Sequence, residues 1–440
     1  MAASLPVSQS VVTRRELLRR REVERRRRRA RIRRNRLVAT LCALLIGCFS
    51  FLVVNFGYAR SSTAARHAAV SIGLTSLVKE TTTIPGTISG IPWPKKGQSA
   101  IALSGVGVMA RTVGQSPVPI ASLTKMMTAL VVLHDHPLVP GESGPSFTMT
   151  GADVAAYLQA DETDESNVAV RLGEVLTYYQ LLEALLIPSA DNVANLLAVW
   201  DAGSIPAFVS KMNAQAGLMG LRSTHYADAS GVSAKSMSTA GDQAVVAATL
   251  MEQPIVQLIV ARKSAPFPFV GEIWNSNPAV GTDGIIGVKS GYTSEAKGCL
   301  AVAAWHTVGA TSALVVAVTL SQPNGIYGAA DIDERLITKA QETVVSFRPI
   351  VPGTTVANVV VPWSTQPLEA GVFGNARVFG WPGLVIHERV LPAPANQATV
   401  DSGDVGTVEF IARNKTIGQV TLDATSPLPA MPAGWLPAQS

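Results

Sequence analysis

The sequence predicts an α/β domain whose sheet collects strands from both ends of one segment. A transmembrane helix precedes it and a small C-terminal β-sandwich domain follows. Three observations carry this reading. Strand-like patterns near residues 99–110 and 284–320 flank a helical section over roughly 121–255. After Pro352 the chain changes to short apolar runs broken by Pro and Gly. Ahead of all of these, an uncharged and mostly apolar run from Leu37 to Ala59 follows an arginine-rich segment.

Composition sets the frame. With 440 residues, 47% of them hydrophobic and 15% charged, there is ample material for a large core, which excludes a mainly disordered chain. The basic balance is local. Residues 1–36 hold fourteen Arg and three Glu, so the net charge of +5 leaves −6 for the other 404 residues. Residues 1–36 therefore read as a cytoplasmic tail and no nucleic-acid partner is expected, since a topology signal accounts for the arginines.

Twenty-three residues, 37–59, as a helix reach about 35 Å, enough to cross a bilayer core of about 30 Å. Arginine on the leading flank keeps the N-terminus in the cytoplasm and places everything after Arg60 outside the cell membrane, with membrane lipid contacted through this helix. Gly57-Tyr58-Ala59 is a pattern at which a signal peptidase could cut, but the length of the run favours an uncleaved anchor. Cys42 and Cys48 fall inside the run and Cys299 stands alone beyond it, so no internal disulfide is available to the external part.

Residues 60–97 are rich in Ser, Thr, Ala, Pro and Gly and read as a linker. The α/β domain is expected over 98–350. Apolar positions at three and four spacing in Met126–Leu133, Val175–Ile187 and Val193–Trp200 give its helices; Gly284–Val288, Gly298–Trp305 and Ser312–Leu320 give the returning strands. A C-terminal β-rich domain is expected over 351–428, followed by a Pro-rich tail, 429–440. From position and composition, removing residues 353–440 is expected to spare the function of the α/β domain.

The most informative string is Pro119-Ile120-Ala121-Ser122-Leu123-Thr124-Lys125-Met126-Met127. A proline before a short polar stretch and an apolar periodic run marks a helix start. Ser122 then lies in the first turn with Lys125 three residues on, over the same face. Apolar neighbours would lower the Lys125 pKa, and a neutral lysine beside a hydroxyl can take its proton. Ser-x-x-Lys recurs at Ser76/Lys79 and Ser294/Lys297, neither of which opens an apolar helix.

Two further strings raise the value of the first. Ile187-Pro188-Ser189-Ala190-Asp191-Asn192 joins two apolar helices and offers a second hydroxyl. Gly284–Tyr292 reads as a strand ending in Lys289, Ser290 and Gly291, where the glycine admits a substrate backbone. In order and spacing the three strings resemble the serine-lysine, serine-x-asparagine, lysine-threonine-glycine set of penicillin-recognising enzymes. The chain is similar to the low-molecular-mass penicillin-binding proteins, serine-type D-alanyl-D-alanine carboxypeptidases, from about Pro92 to Ser346.

The resemblance implies the β-lactamase and penicillin-binding transpeptidase-like fold, an antiparallel sheet with a helical subdomain. It also implies a role for each matching residue. Ser122 is the acylated nucleophile, Lys125 its general base, and Ser189 a proton relay to the leaving amine. Lys289 and Ser290 hold the terminal carboxylate of a peptidoglycan stem peptide, with Gly291 and Asp191 lining the substrate site. The backbone N–H groups of Ser122 and Tyr292 form the oxyanion hole, β-lactams act as covalent inhibitors, and neither a metal nor an organic cofactor is required.

Two positions depart from the family pattern. Ser290 replaces threonine and keeps the hydroxyl. Asp191 replaces asparagine, and an ionised carboxylate only accepts hydrogen bonds. Either Asn192 supplies the missing amide, or Asp191 pairs with Lys125 or Lys289. A transpeptidase with the same acyl-enzyme and an inert penicillin-fold binding module are the competing readings. A β-lactamase is disfavoured because no glutamate lies between Glu183 and Glu252. His134-Asp135-His136 is expected to be a solvated loop after a helix, and Cys299 a core residue.

Overall fold

The computed structural model describes residues 72–309 and 311–433. The arginine-rich tail, the Leu37–Ala59 run, the first part of the expected linker and the last residues of the Pro-rich tail lie outside the described residues. Among the described residues no single helix is long and apolar enough to cross a membrane.

Two short strands, β1 (Gly73–Ser76) and β2 (Thr81–Thr83), come first. The central sheet then uses β3 (Gln98–Leu103), β4 (Gly107–Arg111), β5 (Ile285–Thr293), β6 (Lys297–Val308) and β7 (Thr311–Gln322), in the order β5-β6-β7-β3-β4. Neighbouring strands are antiparallel throughout. The sheet therefore does collect both ends of the segment, as the sequence pattern predicts.

Both faces of this sheet are covered, and alternate residues enter different cores. Ala100 and Ala102 lie in one core with Ala301, Ala303, Val316 and Val318. Ile101 and Leu103 lie in the other with Leu300, Val302, Val315 and Ala317. Burial on two sides is why β3 reads as a continuous apolar run and not as an alternating one.

The first core is closed by a helical layer of α1 (Thr124–Asp135), α2 (Gly151–Glu162), α3 (Tyr178–Leu186), α4 (Asp191–Ala202), α5 (Ile205–Leu218), α6 (Ala240–Leu250) and α7 (Pro254–Val260). Helix α1 is buried along its whole length from Thr124 to Leu133, which places it at the centre of this layer. The second core is closed by α8 (Gly325–Thr343), through Ala329, Ile332, Leu336, Ile337 and Ala340.

The region after 350 is β-rich. Strands β8 (Thr354–Val360), β9 (Leu368–Val372), β10 (Val385–Pro392), β11 (Asp404–Ala412) and β12 (Lys415–Ala424) form a seven-stranded sheet with the two opening strands, in the order β1-β8-β9-β12-β11-β10-β2. A two-stranded ribbon pairs Val345–Phe347 with Val378–Gly380.

This corrects the expected linker. Residues 73–83 are short of apolar positions, yet they supply both outer strands of this sheet by pairing Gly73 with Val360 and Thr83 with Val385. Val356, Val359, Ala370, Val372 and Phe410 share the second core with Ile101, Leu103 and Leu336. One apolar mass thus runs across the expected boundary at 350.

The His134–His136 string also differs from expectation. His134 and Asp135 complete α1, and the His136 ring stacks on Trp200 with centroids 3.9 Å apart. Lys211 donates to both Asp135 and Asp201 at 2.7 Å. The string is an ion-paired helix end, and no cluster of three metal-capable side chains occurs among the described residues. Cys299 is buried in β6, where desolvation pushes its thiol up to about 12, so it stays an uncharged core residue.

Candidate active site

Ser122 sits in a 3₁₀ turn, Ala121–Leu123, which feeds directly into α1; the expected first helical turn begins two residues later. Ala121 adopts a φ of 46°, a region that residues with side chains rarely use. The turn is pressed from outside by Gly231, whose φ is 90°. A β-carbon built on Gly231 would fall 1.9 Å from the Ala121 carbonyl oxygen, so only glycine fits there.

One turn further, Lys125 is fully buried. Its Nζ donates to Ser122 Oγ at 2.8 Å, to Asp191 Oδ1 at 2.5 Å and to the Ser230 carbonyl oxygen at 2.9 Å. An ammonium carries three donors, and these three contacts use all of them.

Asp191 opens α4, where the helix dipole favours a negative charge, and its backbone N–H donates to Ser166 O at 2.7 Å. Asn192 is committed elsewhere: its Oδ1 accepts from Val168 N at 3.2 Å and its Nδ2 donates to Val168 O at 2.9 Å. Of the alternatives left open at 191, the pair with Lys125 is the one realised.

Ser189 lies in the turn between α3 and α4 with a left-handed φ of 73°. Its Oγ is buried and makes no hydrogen bond among the described residues.

Lys289 is fully buried on β5. Desolvation, followed by the charge of Lys125, holds its ammonium well below the usual lysine range, and the Asp191 carboxylate opposes that shift. Ser290 Oγ lies 2.8 Å from Ser276 Oγ, and Ser276 also donates to Ile187 O at 3.2 Å. The third motif is in this way tied to the turn that carries Ser189. A β-carbon on Gly291 would stand 2.8 Å from Ser122 N, which brings β5 edge-on against the nucleophile turn. Tyr292, the next residue, has an exposed side chain.

Sequence reasoning missed one contributor, the loop Asp228-Ala229-Ser230-Gly231. Asp228 Oδ2 accepts from Gly231 N at 2.9 Å and Ser233 N at 3.1 Å, and Oδ1 accepts from Ser236 Oγ. This folds the loop so that the Ser230 carbonyl reaches Lys125. An Asp followed by a small residue, Ser and Gly is a turn signature available in the sequence. Glu165, Asn192, Asp228 and Ser230 line a cavity of about 380 Å³ beside the cluster.

The geometry thus offers a serine hydroxyl held by a buried lysine, a second buried lysine close enough to feel its charge, and a strand edge lying on the serine backbone. The sequence profile described as D-alanyl-D-alanine carboxypeptidase matches residues 100–323, a span that contains every one of these groups. The chain belongs to this family.

Among its relatives, a D-alanyl-D-alanine carboxypeptidase of Mycobacterium tuberculosis is 37% identical over 186 residues, 41% of this chain and 60% of that protein. A D-alanyl-D-alanine carboxypeptidase of Bacillus subtilis is 29% identical, covering 42% of this chain and 47% of the relative. The chain therefore spans about half to three-fifths of the length of these two. Penicillin binding protein 5 of Haemophilus influenzae has the same fold, with a TM-score of 0.55 at 20% identity over 78% of this chain and 99% of that one.

Proposed function

We propose that the chain is a serine-type D-Ala-D-Ala carboxypeptidase that removes the terminal D-alanine from peptidoglycan stem pentapeptides through an acyl-enzyme on Ser122. The observation that carries this is the Lys125 Nζ to Ser122 Oγ contact of 2.8 Å, made beneath a strand edge that excludes a side chain at Gly291. Lys125 takes the Ser122 proton as Oγ attacks the scissile carbonyl. Main-chain N–H groups of Ser122 and Tyr292 stabilise the oxyanion, a contribution of about 3 kcal/mol for each such donor.

The unpartnered Ser189 hydroxyl passes a proton to the leaving D-alanine amine. Lys289 and Ser290 receive the terminal carboxylate; a cation and a hydroxyl are the groups this anion calls for. β-Lactams present the same carbonyl and carboxylate, so they acylate Ser122 and leave slowly. Glu183, the glutamate nearest in sequence to Ser189, is engaged by Arg262 at 2.7 Å and is not free to activate water.

Release of D-alanine from a diacetylated D-Ala-D-Ala tripeptide, compared between the native chain and Ser122→Ala, tests this reading. Release by the native chain and none by the variant supports it. Equal release by both removes Ser122 from the chemistry.

The Leu37–Ala59 run is proposed to anchor the protein in the cell membrane with its N-terminus cytoplasmic and residues 72–433 outside. The charge asymmetry around that run supports this. The C-terminal sheet and its ribbon would then orient the catalytic domain relative to the cell wall. Labelling of intact cells with a membrane-impermeant reagent checks the topology: residues after 72 react, and those before 37 do not.

A further inference from the structure

Lys125 presents a difficulty for the acylation chemistry that the structure itself resolves. All three donors of its ammonium are in use, one of them to Ser122 Oγ. An ammonium that donates to Ser122 has no lone pair with which to take the Ser122 proton. One proton must leave Nζ first. Of its three acceptors, a hydroxyl, a main-chain carbonyl and a carboxylate, only the carboxylate is a base able to hold it.

We propose that Asp191 is the proton store of the site. In the resting pair Lys125 is an ammonium and Asp191 a carboxylate. The Nζ proton directed at Oδ1 passes across the 2.5 Å contact, leaving a neutral amine beside a carboxylic acid. The freed lone pair turns to Ser122 and takes the Oγ proton as the Oγ–carbon bond forms. When the carbon–nitrogen bond breaks, that proton goes through Ser189 to the departing amine. Lys125 is again neutral, with Asp191 still protonated. Lys125 then takes a proton from the water that attacks the acyl carbon and passes it to Ser122 Oγ as the acyl–Oγ bond breaks, which releases the shortened peptide and leaves Lys125 neutral once more. Return of the Asp191 proton to Lys125 then restores the resting pair.

This rests on the reading of Ser122 as the acylated nucleophile, and it assigns the Asp191 substitution a purpose. With asparagine at 191 the proton would have to be lost to solvent, so neutral lysine would accumulate only as pH rises. With aspartate the proton moves within the pair, and the reactive form exists at a fraction that does not depend on pH. The charged groups around the pair are few. Lys289 faces it from β5. On the loop side Asp228 is occupied by Gly231, Ser233 and Ser236, and Glu165 lines the adjoining cavity.

The test is the rate of acylation by benzylpenicillin, measured on the full-length chain as a function of pH for the native protein, Asp191→Asn and Asp191→Ser. Circular dichroism selects the variants that fold, and the serine variant stands in where the asparagine one does not. Loss of the Asp191 carboxylate also lowers the Lys289 ammonium further, which bears on the alkaline limb, so the informative quantity is the ratio of native to variant rate on the acid side. That ratio should climb as pH falls, approaching about tenfold per pH unit on the acid side of the lysine titration. A ratio that stays constant across the range overturns the proton store while leaving the acyl-enzyme reading intact. Absence of acylation of the native chain at every pH overturns both.

Discussion

Gly291 and Ser122 are in backbone contact: a β-carbon on Gly291 would lie 2.8 Å from Ser122 N, 3.1 Å from Ala121 Cβ and 3.3 Å from Leu123 N. Two of these three atoms are main chain, so no side-chain rotation can relieve the crowding. The nucleophile turn and β5 fit together only because position 291 has no side chain.

Gly291→Ala should therefore part the strand from the turn and move the Tyr292 N–H away from the forming oxyanion. Acylation by benzylpenicillin is expected to fall about 100-fold or more, in line with loss of an oxyanion donor, while circular dichroism is unchanged. A folded variant that acylates within about threefold of the native rate would break the link between this contact and the oxyanion site.

Gly231→Ala meets a harder obstruction, 1.9 Å from Ala121 O, at a φ of 90°. A destabilisation above about 3 kcal/mol is expected in urea unfolding, since backbone strain and a steric clash add at one position. A loss below about 1 kcal/mol would mean that the loop can move off the turn without cost.

Asp333 is fully buried on α8, accepts from Thr319 Oγ1, and leaves Oδ2 without a hydrogen bond among the described residues. Burial raises its pKa well above 3.8, so the folded chain holds a proton that the unfolded chain gives up. The native state binds more protons, hence stability contributed by this group is present below the unfolded pKa and declines as pH rises towards the folded one. Asp333→Asn cannot titrate. Its melting temperature relative to the native chain should rise between about pH 4.5 and about pH 7.5, and a difference that is flat or falling contradicts the assignment.

Removal of residues 353–440 should not be neutral, contrary to the expectation from sequence. It would strip the partners of Ile101, Leu103 and Leu336 in the second core and leave β1 and β2 without a sheet. The truncated chain is expected to lose its near-ultraviolet circular dichroism and its D-alanine release together. Full activity in a folded truncated chain would show the two parts to be independent.

The catalytic sheet was legible because β3, β6 and β7 are buried on both faces and carry unbroken apolar runs such as Ala100–Leu103 and Leu300–Ala304. β10 was not, since Val385–Pro392 includes His387, Glu388 and Arg389 and reads as polar. β1 and β2 escaped for a further reason: their partners lie about three hundred residues away, and an edge strand needs few apolar side chains.

At the site, the side chains that act were visible as motifs, and what they touch was not. Lys125 reaches Ser230 through a main-chain oxygen, which leaves no mark on residue type. The choice at 191 between Lys125, Lys289 and a substituted amide depended on side-chain geometry that spacing does not fix; the 2.5 Å contact decides it.

The most direct measurement is peptide mapping by mass spectrometry of the full-length chain after incubation with benzylpenicillin, alongside an assay of D-alanine release from the diacetylated tripeptide. A penicilloyl group on the peptide containing Ser122, together with D-alanine release, is the predicted result. An unmodified Ser122 with no D-alanine released would contradict the account at its centre.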